Sequence, residues 1–534
     1  MMISKRGRDT ILVFLLALAV RLATALLLTR PGYMDTAYYA AGAVHLAQGG
    51  GLSEHFLWNY LDDPVGLPHP GFLYWMPLAS LLASPFASFF PGSFFALQLP
   101  FALISAFLPV VAYGLAWTTS GRRRDAWLAA LLFLFSGFFF PYWTLPETFA
   151  PFALFVSLAL WLAGKWMLDT TCWMVDVGRW LLVGLLAGLA HLTRADGVLL
   201  LPVVILTCSV YSPSRTRHHE ASTVEHASLL VIGRWSLVIL GYLLVMSPWF
   251  FRNISVIGMP LSPAGAKTLW LRTYDDMFCY GCSLSLRSFL AWGWLDILRS
   301  KVWALGVNMA RFLAEDCLIF LLPFVLVGLY RLRRRSSLVI SLVYLLLVYL
   351  AHSLVFTFPG PRGGFFHASA PTLPFLFTAG AEGLEVAVGW AARRRHWNLR
   401  QAEAVFTVAA ALAALALSGY AAVQKLPSWR DADASYLKVG VWLARQGVEE
   451  PRVMVGNPPA FWYHTGHSAV VVPNGGVDAL LKVADRYRVD YVVLDQNRPQ
   501  GLAELYAGES TAGLALVATF DGGQVQLYQR TESR

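Results

Sequence analysis

One carboxylate stands directly after the first apolar segment of the chain. Asp35 lies in the stretch TRPGYMDTAYY, residues 29–39, which follows a segment of about twenty apolar residues. A segment of about twenty apolar residues is typical of a membrane-spanning helix. Asp35 could accept a proton from a hydroxyl group as a general base, while Tyr38 and Tyr39 could stack on a sugar or line its pocket. Asp is also a favoured N-cap residue, so Asp35 could equally cap a helix. A capping role would not exclude catalysis.

Two short loops present one further ionisable side chain each. In LPHPGFLYW, residues 67–75, two prolines flank His69 and restrict the backbone around it, and a structural role is the alternative. In WTLPETFAP, residues 143–151, Glu147 lies in a tight turn between two apolar segments. Solvation or capping is the alternative there, and the confined turn favours a functional role for Glu147.

Two arginines in similar loops could bind a phosphate group. Arg194 in HLTRADG could hold it through two parallel charge-assisted hydrogen bonds. Arg194 could also anchor its helix by snorkelling, and Asp196 could simply pair with it. Arg362 and His367 lie in FPGPRGGFFHASAP, whose glycines would let the backbone approach a ligand closely. Arg362 is therefore the second candidate for phosphate.

A longer loop, KTLWLRTYDDMFCYGC at residues 267–282, combines charged and aromatic side chains. Arg272 and Tyr274 could line a site for a saccharide or a lipid headgroup, or belong to a solvated face. Cys279 and Cys282 could form a disulfide if the loop lies outside the cell. A single CxxC without a second Cys or His pair is weak evidence for zinc, so no metal ligands are predicted.

The elements that must position these residues are membrane helices. Of the 534 residues 57% are hydrophobic and 14% are charged, whereas soluble domains contain roughly 25% charged residues. Apolar windows of ~20 residues recur and predict about 11 transmembrane helices. These predicted spans are 9–29, 94–118, 126–141, 149–168, 179–193, 197–211, 234–251, 311–330, 337–357, 367–390 and 403–422.

The positive charge is distributed as expected for a membrane protein rather than a nucleic-acid-binding protein. The net charge is +9, and arginines form short blocks between the spans at residues 121–124, 331–335 and 393–400. Such blocks hold loops on the cytoplasmic side. The N-terminus is therefore predicted inside and the C-terminus outside, which places all the candidate residues named above on the outer side.

Two regions outside the spans complete the predicted organisation. Residues 30–93 form a large first external loop within a membrane domain of residues 1–423. Residues 424–534 contain short strand-like stretches, RVMVGN, AVVVPN, DYVVLD, LALVATF and QVQLYQ, alternating with helical ones. We predict a small external α/β domain there.

Several of these motifs together resemble a known superfamily. Arg21 in the first span, MDTAYYAAGAVHLAQG, PHPGFLYW, LPETFAP and HLTRADG are similar to the GT-C integral membrane glycosyltransferases. The resemblance is greatest to dolichyl-phosphate-mannose–protein mannosyltransferases and to bacterial lipid A aminoarabinose and core-sugar transferases. It covers residues 9–420, whereas the α/β tail matches only loosely.

The resemblance implies a function and a site. It implies transfer of a sugar from a polyprenyl-phosphate carrier to a protein, lipid or glycan acceptor at the outer face of the cell membrane, with inversion. Asp35 takes the position of the family's acid in the first external loop, but Thr36 replaces the second acid that many relatives have next to it. Arg194 and Arg362 would stabilise the departing phosphate, and Glu147 would orient a substrate. No cofactor is predicted, although a divalent metal is possible.

Two functions of other classes compete with this interpretation. A flippase or transporter of lipid-linked saccharides would need a polar path through the bilayer, whereas the ionisable residues here collect at the outer ends of the spans. A non-catalytic membrane receptor would use the α/β tail to bind a partner, and it should tolerate changes at Asp35 and Arg194. The sugar, the acceptor and the oligomeric state are not indicated by the sequence.

Overall fold

A computed structural model describes residues 4–167, 173–210, 222–508, 511 and 513–531. The chain divides into two compact units, each built from three separate segments. The first unit comprises Met1–Leu26, Leu99–Pro260 and Ser300–Lys425. The second unit comprises Leu27–Gln98, Leu261–Arg299 and Leu426–Arg534.

Helices predominate throughout the described residues. In chain order they are α1 (Lys5–Leu26), α2 (Met34–Ala47), α3 (Leu78–Phe89), α4 (Phe94–Ser120), α5 (Arg123–Leu134), α6 (Phe149–Trp166), α7 (Trp173–Thr193), α8 (Leu200–Val210), α9 (Ser222–Ile257), α10 (Ala264–Lys267), α11 (Leu286–Leu290), α12 (Trp294–Arg311), α13 (Leu322–Leu332), α14 (Ser336–Leu350), α15 (Phe365–Ser369), α16 (Leu373–Arg395), α17 (Leu399–Ala432), α18 (Ala434–Arg445), α19 (Pro458–Thr465), α20 (Val477–Tyr487) and α21 (Ala503–Tyr506).

Seven helical segments in the described ranges are long and apolar enough to cross a membrane, judged by length and composition. The predicted total of about eleven crossings stays a prediction. Residue 168 of the predicted span 149–168 and residue 211 of the predicted span 197–211 lie outside the described residues. The seven segments are Lys5–Leu26, Phe94–Ser120, Phe149–Trp166, Val175–Thr193, Leu230–Ile257, Ser336–Val355 and Leu399–Arg445.

Two predicted spans are interrupted in the structure. Over residues 311–330 the helix α12 continues as one turn of π-helix and then breaks, because Leu318 and Ile319 have φ angles of 49° and 61°. Over residues 126–141 the helix α5 ends early, and Gly137 has a φ of 60°. Backbone at positive φ does not continue a right-handed helix, and hydropathy does not report this conformation.

Glycines bring helices of the first unit into close contact. A Cβ atom at Gly383 of α16 would lie 1.8 Å from the carbonyl oxygen of Phe324 in α13, and one at Gly328 of α13 would lie 1.8 Å from that of Ala379. Gly184 of α7 packs against the backbone of α9 in the same way. Small residues at such crossings let membrane helices approach backbone to backbone.

The second unit contains a six-stranded sheet. The strands are β1 (Ser53–Glu54), β2 (Phe56–Leu57), β3 (His69–Pro70), β4 (Val453–Val455), β5 (Ala469–Val471), β6 (Tyr491–Leu494), β7 (Leu514–Phe520) and β8 (Val525–Arg530). The order in the large sheet is β2-β5-β4-β6-β8-β7. Strands β2, β5, β4 and β6 are parallel, and β8 is antiparallel to both of its neighbours, β6 and β7. Strands β1 and β3 form a separate antiparallel pair.

Both faces of this sheet are covered. Alternate residues of a strand point to opposite faces, so Val453 and Val455 join one apolar core while Met454 joins the other. Strands β4 to β8 lie at the five stretches in which the sequence predicts strands. Strand β2, however, comes from the predicted first loop. That residues 424–534 form a separate external domain therefore stays a prediction.

Candidate active site

Asp35 lies in the first turn of α2 without being its N-cap. The N-cap residue is Tyr33, whose side chain makes no capping hydrogen bond, and Asp35 is the second helical residue. A carboxylate at this position is favoured by the helix dipole, typically by about 0.3–1 kcal/mol. The side chain is half-buried. The capping alternative for Asp35 therefore does not describe its position.

The two tyrosines that follow pack inside the second unit. Tyr38 and Tyr39 are 2% and 3% exposed, and their rings meet edge to face at 5.2 Å. The Tyr38 hydroxyl donates a hydrogen bond of 2.5 Å to Oε1 of Glu54. Burial and the Glu54 carboxylate raise the pKa of Tyr38 well above its usual value. In this conformation both rings are packing residues, and their stacking on a sugar stays a prediction.

His69 joins the same group of side chains through strand β3. Its Nε2 lies 3.0 Å from the carbonyl oxygen of Phe56 and 3.7 Å from Oε2 of Glu54. Oε1 of Glu54 also accepts the backbone N–H of Phe72 at 2.7 Å. Glu54 thus connects Tyr38, His69 and the backbone of the first loop. No turn or motif in the sequence distinguishes Glu54, so it was not among the predicted site residues.

In the first unit the structure brings Glu147 and His367 together. Both side chains are buried, and Nε2 of His367 lies 3.4 Å from Oε2 of Glu147. Nδ1 of His367 lies 2.9 Å from the Gly363 carbonyl oxygen, so this nitrogen carries the donated hydrogen. The facing Nε2 and carboxylate would repel each other without a proton between them. A carboxyl–imidazole pair that shares one proton can act in general acid–base chemistry.

Arg194 and Asp196 pair with each other. This pairing was one of the alternatives to phosphate binding by Arg194. The guanidinium Nε and Nη2 donate to the two carboxylate oxygens of Asp196 at 2.9 and 3.0 Å, and Nη1 faces the Thr148 hydroxyl at 3.4 Å. His352 adds a third contact, with Nε2 3.1 Å from Oδ2 of Asp196. Burial alone would raise the pKa of Asp196, but Arg194 and His352 hold it well below its usual range.

Arg362 projects from a tight turn that packs on His352. The turn is a single π-helical segment, Gly360–Gly364, in which Gly363 has a φ of 132°. A Cβ atom at Gly360 would lie 1.9 Å from the His352 carbonyl oxygen. Glycine is thus required here for contact with protein backbone. The Arg362 side chain is exposed, and its role toward phosphate stays a prediction.

The loop at residues 267–282 is internally ordered. The Oδ2 atom of Asp276 accepts the backbone N–H of Arg272 at 2.8 Å and lies 3.7 Å from its Nε. The Tyr274 ring packs against the Phe278 ring at 6.0 Å. Cys279 and Cys282 form a disulfide, which the sequence left open. These contacts of Arg272 and Tyr274 are with residues of the same loop.

One family model matches part of the chain. The family described as dolichyl-phosphate-mannose-protein mannosyltransferase matches residues 68–246, which include Glu147 and Arg194. No curated protein sequence matches the chain significantly.

Solved structures align over nearly the whole chain at low sequence identity. The archaeal oligosaccharyltransferase AglB from Archaeoglobus fulgidus, in complex with an inhibitory peptide and a dolichol-phosphate, covers 93% of this chain and 70% of its own length, with 12% identity and a TM-score of 0.54. ArnT from Cupriavidus metallidurans in the apo state covers 98% of both chains with 15% identity and a TM-score of 0.55. ArnT bound to undecaprenyl phosphate gives the same coverage and identity with a TM-score of 0.54.

The solved structures that this chain resembles are membrane proteins that share one fold. The seven apolar helical segments of the described residues agree with them, and the chain is a multi-pass membrane protein. It has the fold of the GT-C integral membrane glycosyltransferases, which confirms the resemblance seen in its sequence.

Proposed function

We propose that this protein is a glycosyltransferase that moves a sugar from a polyprenyl-phosphate carrier to an acceptor hydroxyl. The GT-C fold carries the proposal, because AglB and ArnT share it and their structures contain dolichol-phosphate and undecaprenyl phosphate, respectively. The acceptor is a protein, a lipid or a glycan. The reaction takes place at the outer face of the cell membrane, with the N-terminus of the chain in the cytoplasm.

The disulfide supports this orientation. Disulfides persist in oxidising compartments and are rare in the cytosol, and Cys279 and Cys282 are bonded to each other. Their loop belongs to the second unit, together with the first loop and the α/β sheet. With the second unit facing outward, Asp35 would lie on the side of the membrane on which we propose that the transfer takes place.

In the proposed reaction a single displacement inverts the anomeric carbon. The acceptor oxygen forms a bond to that carbon while the bond from the carbon to the phosphate oxygen breaks. Asp35 takes the acceptor's proton as general base, and the lipid phosphate leaves with both electrons of the broken bond. Arg194 and Arg362 stabilise its charge, while Glu147, paired with His367, orients a substrate hydroxyl.

The first test measures binding of undecaprenyl phosphate to the protein in nanodiscs. A hydrogen bond to a charged group contributes about 1.5–3 kcal/mol, so we expect Arg362→Ala and Arg194→Ala each to weaken binding roughly tenfold or more. Arg287→Ala is the control, since Arg287 is another exposed arginine that has no proposed role. Arg194→Lys keeps the charge but cannot make the two bonds to Asp196, so it separates charge from geometry.

Two outcomes would overturn the proposal. If the wild-type protein does not bind undecaprenyl phosphate, the leaving group is wrong, and the transporter and receptor functions gain support. If all the arginine variants, including Arg287→Ala, lose affinity equally, binding reflects general attraction between cations and an anionic lipid.

A further inference from the structure

The second unit contains an open cavity that none of the candidate residues lines. Its volume is about 570 Å³, within the range of roughly 300–1,000 Å³ that is usual for small-molecule sites. The first two turns of α20 form one wall, residues 500–504 form a second, and Tyr280 closes a third side.

The wall that carries Tyr280 is held in place by several contacts. The Cys279–Cys282 disulfide closes the short loop around it, and the Tyr280 ring meets the Tyr60 ring edge to face at 5.5 Å. The carbonyl oxygen of Phe278 accepts the Asn474 backbone N–H at 2.9 Å. Tyr280 is therefore a fixed, half-exposed aromatic ring at the edge of the cavity.

Backbone contact holds two other walls together. A Cβ atom at Gly501 would lie 2.3 Å from the carbonyl oxygen of Gly475, so the segment after β6 approaches the loop before α20 as closely as glycine allows. The remaining nonpolar wall residues there are Gly476, Val477, Ala479 and Ala503. These residues leave the cavity open, and its polar side chains line it.

Those polar side chains are of mixed charge. Asp478 and Glu504 contribute two carboxylates, Lys482 one ammonium group and Gln500 one amide. All four are exposed, and within the described part of the chain neither carboxylate nor the ammonium group forms an ion pair. The cavity thus offers both hydrogen-bond donors and acceptors to a ligand, with a small excess of negative charge.

We propose that this cavity binds a saccharide. The two carboxylates disfavour a phosphorylated or otherwise anionic ligand. The lining offers a lipid chain a single aliphatic side chain larger than alanine, that of Val477. A neutral, hydroxyl-rich chain fits the remaining chemistry. Its hydroxyls would donate to Asp478 and Glu504 and accept from Lys482 and Gln500, while one face of a sugar ring would pack on Tyr280.

The saccharide would be the acceptor, or an acceptor's glycan. This part of the inference rests on the proposed glycosyltransferase function, whereas saccharide binding by itself does not. A glycan held in the second unit would make that unit a determinant of acceptor specificity, separate from recognition of the lipid phosphate.

The test uses the full-length protein in nanodiscs and saturation-transfer NMR with four probes: mannotetraose, maltotetraose, chitotetraose and a Ser/Thr-rich decapeptide. We expect at least one tetrasaccharide to bind. Tyr280→Ala and Lys482→Ala should each raise its Kd roughly tenfold, and Tyr280→Phe should keep near-wild-type affinity because it keeps the ring. Arg486→Ala is the matched control, because Arg486 lies one turn beyond Lys482 on α20 and outside the cavity.

The following outcomes would overturn the assignment. If only the peptide binds, or if no probe binds, the proposed ligand class is wrong. If tetrasaccharide binding survives both Tyr280→Ala and Lys482→Ala, the saccharide binds outside this cavity. The same variants are also measured with undecaprenyl phosphate, for which wild-type affinity is expected. Lipid binding without saccharide binding would reject the cavity as a saccharide site only. Saccharide binding without lipid binding would reject the proposed function, and with it the acceptor role of the saccharide, but not saccharide binding in the cavity.

Discussion

The buried ionic contacts of the first unit limit what single substitutions can show there. Glu147 faces His367, and Asp196 is held between Arg194 and His352. Removing one partner of a buried pair leaves an uncompensated charge, at a cost of about 3–5 kcal/mol in stability. Loss of function in such a variant, Arg194→Ala included, would therefore mix unfolding with loss of chemistry, and Arg194→Lys, which keeps a positive charge beside Asp196, is the variant to compare with it. A half-buried residue at a helix N-terminus is a cleaner choice.

Asp35 is such a residue, and Asp35→Asn is the variant to measure. The amide keeps the size of the side chain but cannot accept the acceptor's proton, so we expect sugar transfer to fall by roughly 100- to 10,000-fold. Undecaprenyl phosphate binding should change little. The assay follows release of polyprenyl phosphate from lipid-linked sugars by the protein in nanodiscs.

Asp275→Asn is the control for this variant, since Asp275 is an exposed carboxylate of the same unit and has no proposed catalytic role. It should transfer sugar at the wild-type rate. If Asp35→Asn transfers sugar as fast as the wild-type protein, Asp35 is not the general base, and its carboxylate serves only the helix dipole.

The contacts of single residues were predictable only where the partners are close in sequence. Asp196 lies two residues from Arg194, so the sequence already offered their pairing as an alternative. His352 reaches the same carboxylate from 156 residues away, and Glu54 and Tyr38 meet because α2 and the strand pair β1–β3 fold against each other. Hydropathy and short motifs do not encode such partners.

At the scale of elements, the first unit depends on helices that touch backbone to backbone. Helices α13 and α16 meet through Gly328 and Gly383, each of which faces a carbonyl oxygen of the other helix. Lipid tails are as apolar as the helices, so close packing and not apolar burial holds such pairs together. A single added methyl group at the crossing should therefore separate them.

Gly383→Ala tests this packing against Gly389→Ala in the same helix. A Cβ atom at position 383 would lie 1.8 Å from the Phe324 carbonyl oxygen, whereas one at position 389 would lie 3.6 Å from the end of the Arg393 side chain. Overpacking typically costs about 1–3 kcal/mol, so Gly383→Ala should unfold at a clearly lower temperature than the wild-type protein in nanodiscs. Gly389→Ala should not. Equal unfolding temperatures for the two variants would show that α13 and α16 can adjust.

Hydropathy predicts the apolar helices but not the breaks within them. The predicted span 311–330 contains Leu318 and Ile319, which are apolar and yet have positive φ angles. Leu318 is buried and Ile319 is 61% exposed, so neither hydropathy nor composition marks the break. The two-residue strands β1, β2 and β3 could not be predicted from the sequence either, because two residues are too few to show the alternation of apolar and polar residues that indicates a strand.

At the scale of the whole chain, distant segments assemble one sheet. Strand β2 from the predicted first loop pairs in parallel with β5 from the C-terminal region, with Leu57 opposite Val470. The five C-terminal strands were predicted from their own sequence patterns. The predicted division at residue 423 leaves the residues of β2 in the other predicted domain, and that division stays a prediction. A pairing between residues so far apart depends on the folded structure and has no local signal.

Leu57→Asp tests whether the first loop and the C-terminal region fold as one unit. Leu57 is 3% exposed and lies in the core that lines one face of the sheet. A buried, unpaired carboxylate there costs several kcal/mol, so we expect protease cleavage to appear within residues 453–530 as well as within the first loop. Val65→Asp is the matched control, because Val65 is 85% exposed in the same loop, and it should leave the cleavage pattern unchanged. Cleavage confined to residues 27–98 in Leu57→Asp would mean that the C-terminal sheet folds without β2, as an independent domain would.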